Sequence, residues 1–172
     1  MNLTRAVELL NQKGLPYELI EYSCEDDFLK HISEFRDIQD ASQSKTIALV
    51  IKSRNNHKNI ELQFNEFKND YLFRELWFGE YSFEAFDYEP EFIEKELFDN
   101  IQKIMSNYMI AVSLNDLKNR RWISDGLLEN DDMYLKKFKH KMFKPKSFWG
   151  KIFKSQKQYE IYDWNTYQII VK

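Results

Sequence analysis

Apolar residues recur at intervals of three and four positions in three segments of the chain, and this spacing predicts three helices. The first helix ends before Gly14, and its apolar positions are Leu3, Ala6, Val7 and Leu10. The second is predicted at about 26–35. The third, at about 90–106, begins at Pro90, whose fixed backbone dihedral suits a first helical turn.

The segments between the helices carry the patterns of strands. Residues 46–51 (TIALVI) are continuously apolar, as is typical of a central strand that is covered on both faces. In residues 59–67 apolar side chains alternate with polar ones, and Glu61 and Gln63 belong to the polar set. A segment at 121–128 is interrupted by Asp125-Gly126. The remaining strands are predicted at 17–22, 71–78, 81–88, 108–114 and 159–171.

Only Gly79-Glu80 separates the strands at 71–78 and 81–88, and glycine at the first position of a two-residue loop predicts a type II′ hairpin. This loop places Glu75 directly opposite Glu84. Like charges in that arrangement destabilise a sheet by up to about 1 kcal/mol, so we expect either a bound partner or a nearby Lys or Arg. The face shared with Glu75 is predicted to carry Phe73, Trp77, Ser82, Glu84 and Phe86.

The order of these elements predicts an α+β fold with a largely antiparallel central sheet. An N-terminal helix pair and the long helix at about 90–106 are expected to pack on that sheet. We expect residues 1–172 to form a single globular domain. Its basic C-terminal segment, at about 135–172, is predicted to end in a short helix near 146–154 and the last strand.

The composition agrees with one domain, because 43% of the 172 residues are hydrophobic and 28 are aromatic. The one cysteine, Cys24, excludes an intrachain disulfide framework and a multi-cysteine zinc site. No apolar run approaches the roughly 20 residues of a membrane span, and the N-terminus has no signal-peptide pattern. We therefore expect a reduced, cytoplasmic protein without membrane association, and we favour a monomer.

The formal charge of −3 conceals a strong segregation along the chain. Residues 1–134 carry 15 basic and 26 acidic side chains, whereas residues 135–172 carry 10 basic and 2 acidic ones. The acidic excess is densest at 66–99, and such a field steers cationic partners. The sequence therefore predicts an acidic partner-binding surface with an aromatic anchor. Its residues are Glu75, Trp77, Glu80, Glu84, Asp87 and Glu89.

Signatures of catalysis and metal binding are missing from the sequence, since GxSxG, HExxH, Walker-type and GxGxxG motifs do not occur. The three histidines, His31, His57 and His140, lack the spacing of metal ligands. We expect no enzyme activity, cofactor, metal or direct binding of nucleic acid. Two alternatives stay open. One is a hydrolase with paired carboxylates at Glu75 and Glu84, and the other is a scaffold that self-associates through its basic tail.

Four stretches carry a resemblance to a known class of protein: SRNNHKNIELQF at 53–64, LWFGEYSFEAFDY at 76–88, IQKIMSN at 101–107 and RRWISDGLL at 120–128. Their strand pattern and aromatic punctuation, over roughly residues 15–135, resemble small bacterial immunity proteins of polymorphic toxin systems, including contact-dependent inhibition. The resemblance implies a non-enzymatic cytosolic inhibitor that binds the C-terminal domain of one cognate toxin, often a nuclease. It transfers no binding residue to this chain.

Overall fold

A computed structural model describes residues 1–32, 45–84, 90–129 and 157–171. These ranges contain three helices and nine strands, and the predicted α+β class is confirmed. The strands are antiparallel, as predicted, but they do not form one central sheet. They divide between two antiparallel sheets, one of five strands and one of four.

The three helices lie close to their predicted positions. They are α1 (Leu3–Gln12), α2 (Glu25–Ile32) and α3 (Pro90–Met105). The side chain of Asn2 caps α1 by accepting a hydrogen bond from the backbone N–H of Arg5, and Gly14 follows that helix with a φ of 65°. The predicted end of the second helix falls at 33–35, and the predicted helix near 146–154 falls in the basic segment. Both lie outside the described residues.

The five-stranded sheet is a meander in which each strand pairs with the next along the chain. Its strands are β1 (Glu18–Tyr22), β2 (Thr46–Ile51), β3 (Ile60–Phe67), β4 (Asp70–Phe78) and β5 (Tyr81–Glu84). The hairpin between β3 and β4 turns at Lys68 and Asn69, which both have positive φ, as a type I′ turn requires.

The four-stranded sheet has the order β7-β6-β8-β9. Its strands are β6 (Met109–Asp116), β7 (Arg121–Glu129), β8 (Lys157–Tyr162) and β9 (Tyr167–Val171). The expected interruption at Asp125-Gly126 is wrong, because β7 continues through it. The single strand expected at 159–171 is also wrong. The Asp163 carboxylate accepts hydrogen bonds from the backbone N–H groups of Asn165 and Thr166, and the turn that results divides the segment into β8 and β9.

One face of the five-stranded sheet forms the main core. There β3 contributes Ile60, Leu62 and Phe64, and α1 and α3 pack over them with Leu10 and Leu97. The same cluster contains Ala111 and Tyr162 of the second sheet and Trp164 of the turn that follows β8. The two sheets therefore share one hydrophobic core.

The opposite face of the five-stranded sheet is covered by α2. Phe28 and Ile32 of this helix pack on Ala48, Val50 and Trp77, and together they form a second, smaller cluster. Both faces of β2 are thus buried, as its continuous apolar run predicts.

A β-bulge at Arg74 changes which face Phe73 occupies. Glu75 pairs with Gln63, but Phe64 pairs with Phe73, so Arg74 is an extra residue in β4. Phe73 consequently turns into the main core, where its ring lies edge-on to Phe64 at 5.6 Å between centroids. The expectation that Phe73 shares a face with Trp77 is wrong for this reason.

Backbone hydrogen bonds join the turn after β2 to the turn after β8. The N–H groups of Arg54 and Asn55 both donate to the carbonyl of Trp164, at 2.9 and 3.1 Å. The Asn55 side-chain amide donates to the carbonyl of Asp163 at 2.6 Å. We call these four residues the inter-sheet clasp, and they fix how the two hairpin ends meet.

Candidate functional site

The register of the β4–β5 hairpin is as predicted, with Glu75 opposite Glu84 and Trp77 opposite Ser82. Gly79 has a φ of 59°, and the next residue does not share a positive φ, as expected of a type II′ loop. Glu84 ends β5 and is exposed. Asp87 and Glu89, the last two residues predicted for the binding surface, lie outside the described residues.

Trp77 lies in the smaller cluster and is only 3% exposed. Its ring packs edge-on to Phe28 of α2, at 6.1 Å between centroids. Trp77 is buried because α2 covers this face of the sheet, which the sequence pattern predicted to be exposed. While α2 is in place, Trp77 acts as a core residue and is not available as a surface anchor.

Glu75 is also buried, at 4% exposure, and Arg74 supplies a cation for it. The Nε atom of Arg74 lies 2.8 Å from the Oε1 atom of Glu75. The bulge makes this contact possible between neighbours in sequence, which would point to opposite sides of a regular strand. A nearby Lys or Arg was one of the two explanations expected for the facing carboxylates.

Glu80 is 1% exposed and belongs to the junction between the two sheets. The Nζ atom of Lys58 lies 3.9 Å from Oε1 of Glu80 and 3.1 Å from Oε2 of Glu160, a buried residue of β8. The backbone N–H of Glu80 donates to the Tyr162 hydroxyl at 2.7 Å, and that hydroxyl donates to the carbonyl of Phe78 at 3.0 Å. Burial raises the pKa of Tyr162, so the hydroxyl keeps its proton.

Gly79 is required at this junction for a second reason besides its dihedral. A Cβ atom at Gly79 would lie 2.4 Å from the hydroxyl oxygen of Tyr162. The hairpin loop therefore packs directly on the Tyr162 ring of β8, and the side chain of Glu80 in this loop is buried. This arrangement holds the two sheets together.

A buried polar group under α2 was not predicted from the sequence. We call it the α2 cluster, and it consists of Tyr22, His31, Glu61 and Gln63. The Nε2 atom of His31 lies 3.3 Å from Oε1 of Glu61, whose side chain is 6% exposed, whereas the His31 side chain is 46% exposed. The hydrogen bond to Glu61 raises the pKa of His31, although partial burial and Lys52 act in the opposite direction.

Tyr22 completes this cluster from the side of β1. Its ring lies 5.6 Å from the His31 ring, and burial together with the Glu61 carboxylate raises its pKa. Among the described residues, Oε2 of Glu61 and Nε2 of Gln63 are buried without a hydrogen-bond partner. The alternation in β3 did mark Glu61 and Gln63 as one face. The available signal for their burial was the neighbouring TIALVI run, since a strand covered on both faces needs neighbours that are covered too.

Burial changes the charge picture as well. Four glutamates in the described ranges are buried, namely Glu61, Glu75, Glu80 and Glu160. The acidic excess counted along the sequence therefore overstates the negative charge of the described surface.

The most exposed apolar side chain of the described residues lies at the tip of the β3–β4 hairpin. Phe67 is 55% exposed and Leu72 is 40% exposed. The pairs Phe67–Asp70 and Asn65–Leu72 place both on one face, and Glu66, which pairs with Tyr71, is exposed at the same tip on the opposite face. We call Glu66, Phe67, Asp70 and Leu72 the hairpin-tip surface.

An open pocket of about 310 Å³ lies next to this surface. Thr46 in its wall pairs with Asn65, which in turn pairs with Leu72, so pocket and hairpin tip are contiguous. Of the residues predicted for partner binding, the four that the structure describes (Glu75, Trp77, Glu80 and Glu84) do not line it. The lining residues are Glu21, Tyr22, Ser23, Lys45, Thr46, Ile47 and Tyr71.

The described ranges contain no group of three or more His, Cys, Asp or Glu side chains that could hold a metal ion. No helix among them has both the length and the apolar character needed to cross a membrane. Comparison of the chain with protein-family models, with curated proteins and with solved structures gave no match.

Proposed function

We propose that this chain is a bacterial immunity protein, which neutralises a cationic toxin domain by binding it, and that the hairpin-tip surface is the contact. The observation that carries the proposal is the exposure of Phe67 and Leu72 on one face of a hairpin tip. Large apolar side chains that cluster on a protein surface mark interaction sites more often than isolated ones do. The resemblance in residues 15–135 supports the same class of function.

The surroundings of these two side chains suit a basic partner. Exposed Glu66 and Asp70 lie at this tip, where Lys68 stands over the Phe67 ring at 5.2 Å. Glu21 lines the adjacent pocket together with Lys45 and the rings of Tyr22 and Tyr71. A carboxylate beside aromatic rings can receive an arginine or lysine side chain through charge and cation–π attraction. A nuclease domain is basic where it holds phosphate, so an acidic surface with an apolar centre can cover it.

The other two sequence hypotheses receive less support. In the hydrolase hypothesis, Glu75 and Glu84 should share a pocket, but Glu75 is buried against Arg74, Glu84 is exposed, and neither lines the open pocket. The self-association hypothesis depends on the basic segment, most of which lies outside the described residues. We therefore prefer binding at the hairpin tip.

The test is co-expression with the product of the gene immediately upstream, followed by size-exclusion chromatography and a growth-protection assay. We expect a stable complex and protection for the wild type. Phe67→Ser should weaken binding by tenfold or more, as is typical for an exposed aromatic anchor. The matched control is Ile123→Ser, which removes an apolar side chain of 41% exposure from the other sheet and should leave binding unchanged.

Two charge-reversal variants test where the binding surface lies. Glu66→Lys should slow association with the toxin domain at low salt, because exposed charges act mainly on the encounter rate. Glu84→Lys reverses the charge of an exposed glutamate that the sequence predicted to bind the partner. This variant should associate with the toxin domain at the wild-type rate. The opposite ranking of these two variants would move the interface to β5. Neither complex nor protection with the upstream product would contradict the proposal.

A further inference from the structure

The contact between His31 of α2 and Glu61 of β3 joins a helix to a sheet face that it alone covers among the described residues. This helix is only eight residues long, and its apolar contacts belong to the smaller cluster rather than to the main core. A helix of this length has little stability of its own, so its position depends on packing and on the contacts it makes with the sheet. We infer that α2 is a pH-sensitive cover, which the ion pair of protonated His31 with Glu61 holds closed over Trp77.

The buried partner makes the charge of His31 matter. Glu61 is nearly inaccessible to solvent, and removing the counter-charge from a buried carboxylate leaves it uncompensated, which is unfavourable in a low-dielectric environment. The Tyr22 hydroxyl also lies near this carboxylate but is neutral, so the imidazole supplies the compensating positive charge. Loss of the imidazole proton therefore weakens the closed position of α2.

Three groups from other elements also face His31. Glu61 comes from β3, Tyr22 comes from β1, and Lys52 follows β2, where it pairs with Glu18 at 3.1 Å. Lys52 lowers the pKa of His31, but the hydrogen bond to Glu61 is the larger effect and raises it. The Tyr22 hydroxyl, with its pKa raised, keeps its proton throughout the neutral range and adds no charge.

The raised pKa of His31 determines how the closed position of α2 depends on pH. His31 has an ordinary pKa of 6.5, and in the closed state that pKa is raised. The stabilisation of the closed state is complete below pH 6.5 and is lost as the pH rises through the raised value. At higher pH α2 opens more often, and the face with Trp77, Ala48 and Val50 becomes accessible.

Hydrogen exchange followed by NMR tests this on the full chain without any partner. The amides of residues 29–32 are the ones that can bond within α2, and amides in the middle of α3 serve as an internal reference. Between pH 5.5 and 8.5, protection of 29–32 relative to α3 should fall about two- to fivefold, the range typical of partly exposed ion pairs.

Three variants separate the ion pair from other causes. Glu61→Gln keeps the shape of the side chain, and its α2 protection should not change with pH. His31→Gln should behave in the same way, and it provides the test if Glu61→Gln does not fold. His57→Gln is the matched control, because His57 stacks on Tyr167 in another part of the molecule, and it should retain the wild-type pH dependence.

A histidine titration monitored by NMR gives the second readout. The His31 ring, assigned from the spectrum of His31→Gln, should titrate at a higher pH in the wild type than in Glu61→Gln. Equal titration in these two proteins would overturn the inference. So would α2 protection that is independent of pH in the wild type, or that falls equally in the wild type and in His31→Gln.

Discussion

Replacing Trp77 by alanine distinguishes a core residue from a surface anchor. The side chain is 3% exposed and packs against Phe28, which is fully buried. Truncation of a large buried aromatic residue typically costs about 3–5 kcal/mol, from lost transfer free energy and from the cavity that remains. We expect Trp77→Ala to lower the free energy of unfolding by that amount. Typical domains have a free energy of unfolding of about 5–15 kcal/mol, so the variant would still fold but would be only marginally stable.

The partner variant sharpens this expectation. Phe28→Ala removes the other half of the same ring contact, and by itself it should also cost about 3–5 kcal/mol. Either change alone weakens the packing of α2 on the sheet. The double variant should therefore cost less than the sum of the two, with a coupling of about 1–3 kcal/mol.

Urea unfolding followed by far-UV circular dichroism is the appropriate assay, because the substitution changes tryptophan fluorescence. The control is Phe67→Ala, which truncates a side chain of 55% exposure and should change the free energy of unfolding by no more than about 0.5 kcal/mol. A Trp77→Ala protein within 1 kcal/mol of the wild type would refute the core assignment. If the losses in the free energy of unfolding of Trp77→Ala and Phe28→Ala simply add in the double variant, the contact between Trp77 and α2 is refuted.

Three further substitutions probe the junction and the first helix. Tyr162→Phe should cost about 1–3 kcal/mol in urea unfolding, because the buried backbone N–H of Glu80 loses its acceptor, and an unchanged midpoint would contradict that hydrogen bond. Lys58→Met should destabilise the fold by about 3–5 kcal/mol in the same assay, because it leaves the buried carboxylates of Glu80 and Glu160 without this cation. Asn2→Ala should cost about 1 kcal/mol by removing the cap on the Arg5 N–H, and thermal unfolding would reveal no change if the cap is not formed.

Local patterns were sufficient for most elements of the fold. Helical spacing located α1 and α3 to within two residues, and the glycine loop at 79–80 defined the register of β4 and β5. These features depend on neighbours in sequence, which is why a single chain reveals them. The division into two sheets depends on which strands meet across long connections, and the sequence pattern carries no such information.

The candidate site was harder to predict because it depends on tertiary contacts. Alternation placed Trp77 with Glu75 on one face of the hairpin, but it did not show that α2 would cover that face. The bulge at Arg74 was not predicted either, although the consecutive polar residues Arg74 and Glu75 interrupt the alternation in β4 at that point. The acidic residues were expected to lie on the surface. Glu61 and Glu80 are instead buried, and each has a basic partner from another element.

The inter-sheet clasp has a consequence for the order in which the molecule folds. Asn55 and the Asp163 carbonyl are 108 positions apart, and Tyr162 and Phe78 are 84 positions apart. Contacts of such separation close long loops, so their entropy cost arises before their stabilisation is gained. During synthesis the hydrogen bonds between the Gly79 loop and Tyr162 therefore cannot form until β8 has been made. The main core is therefore completed only by the last hairpin, although the first sheet, α1 and α3 supply most of its buried residues.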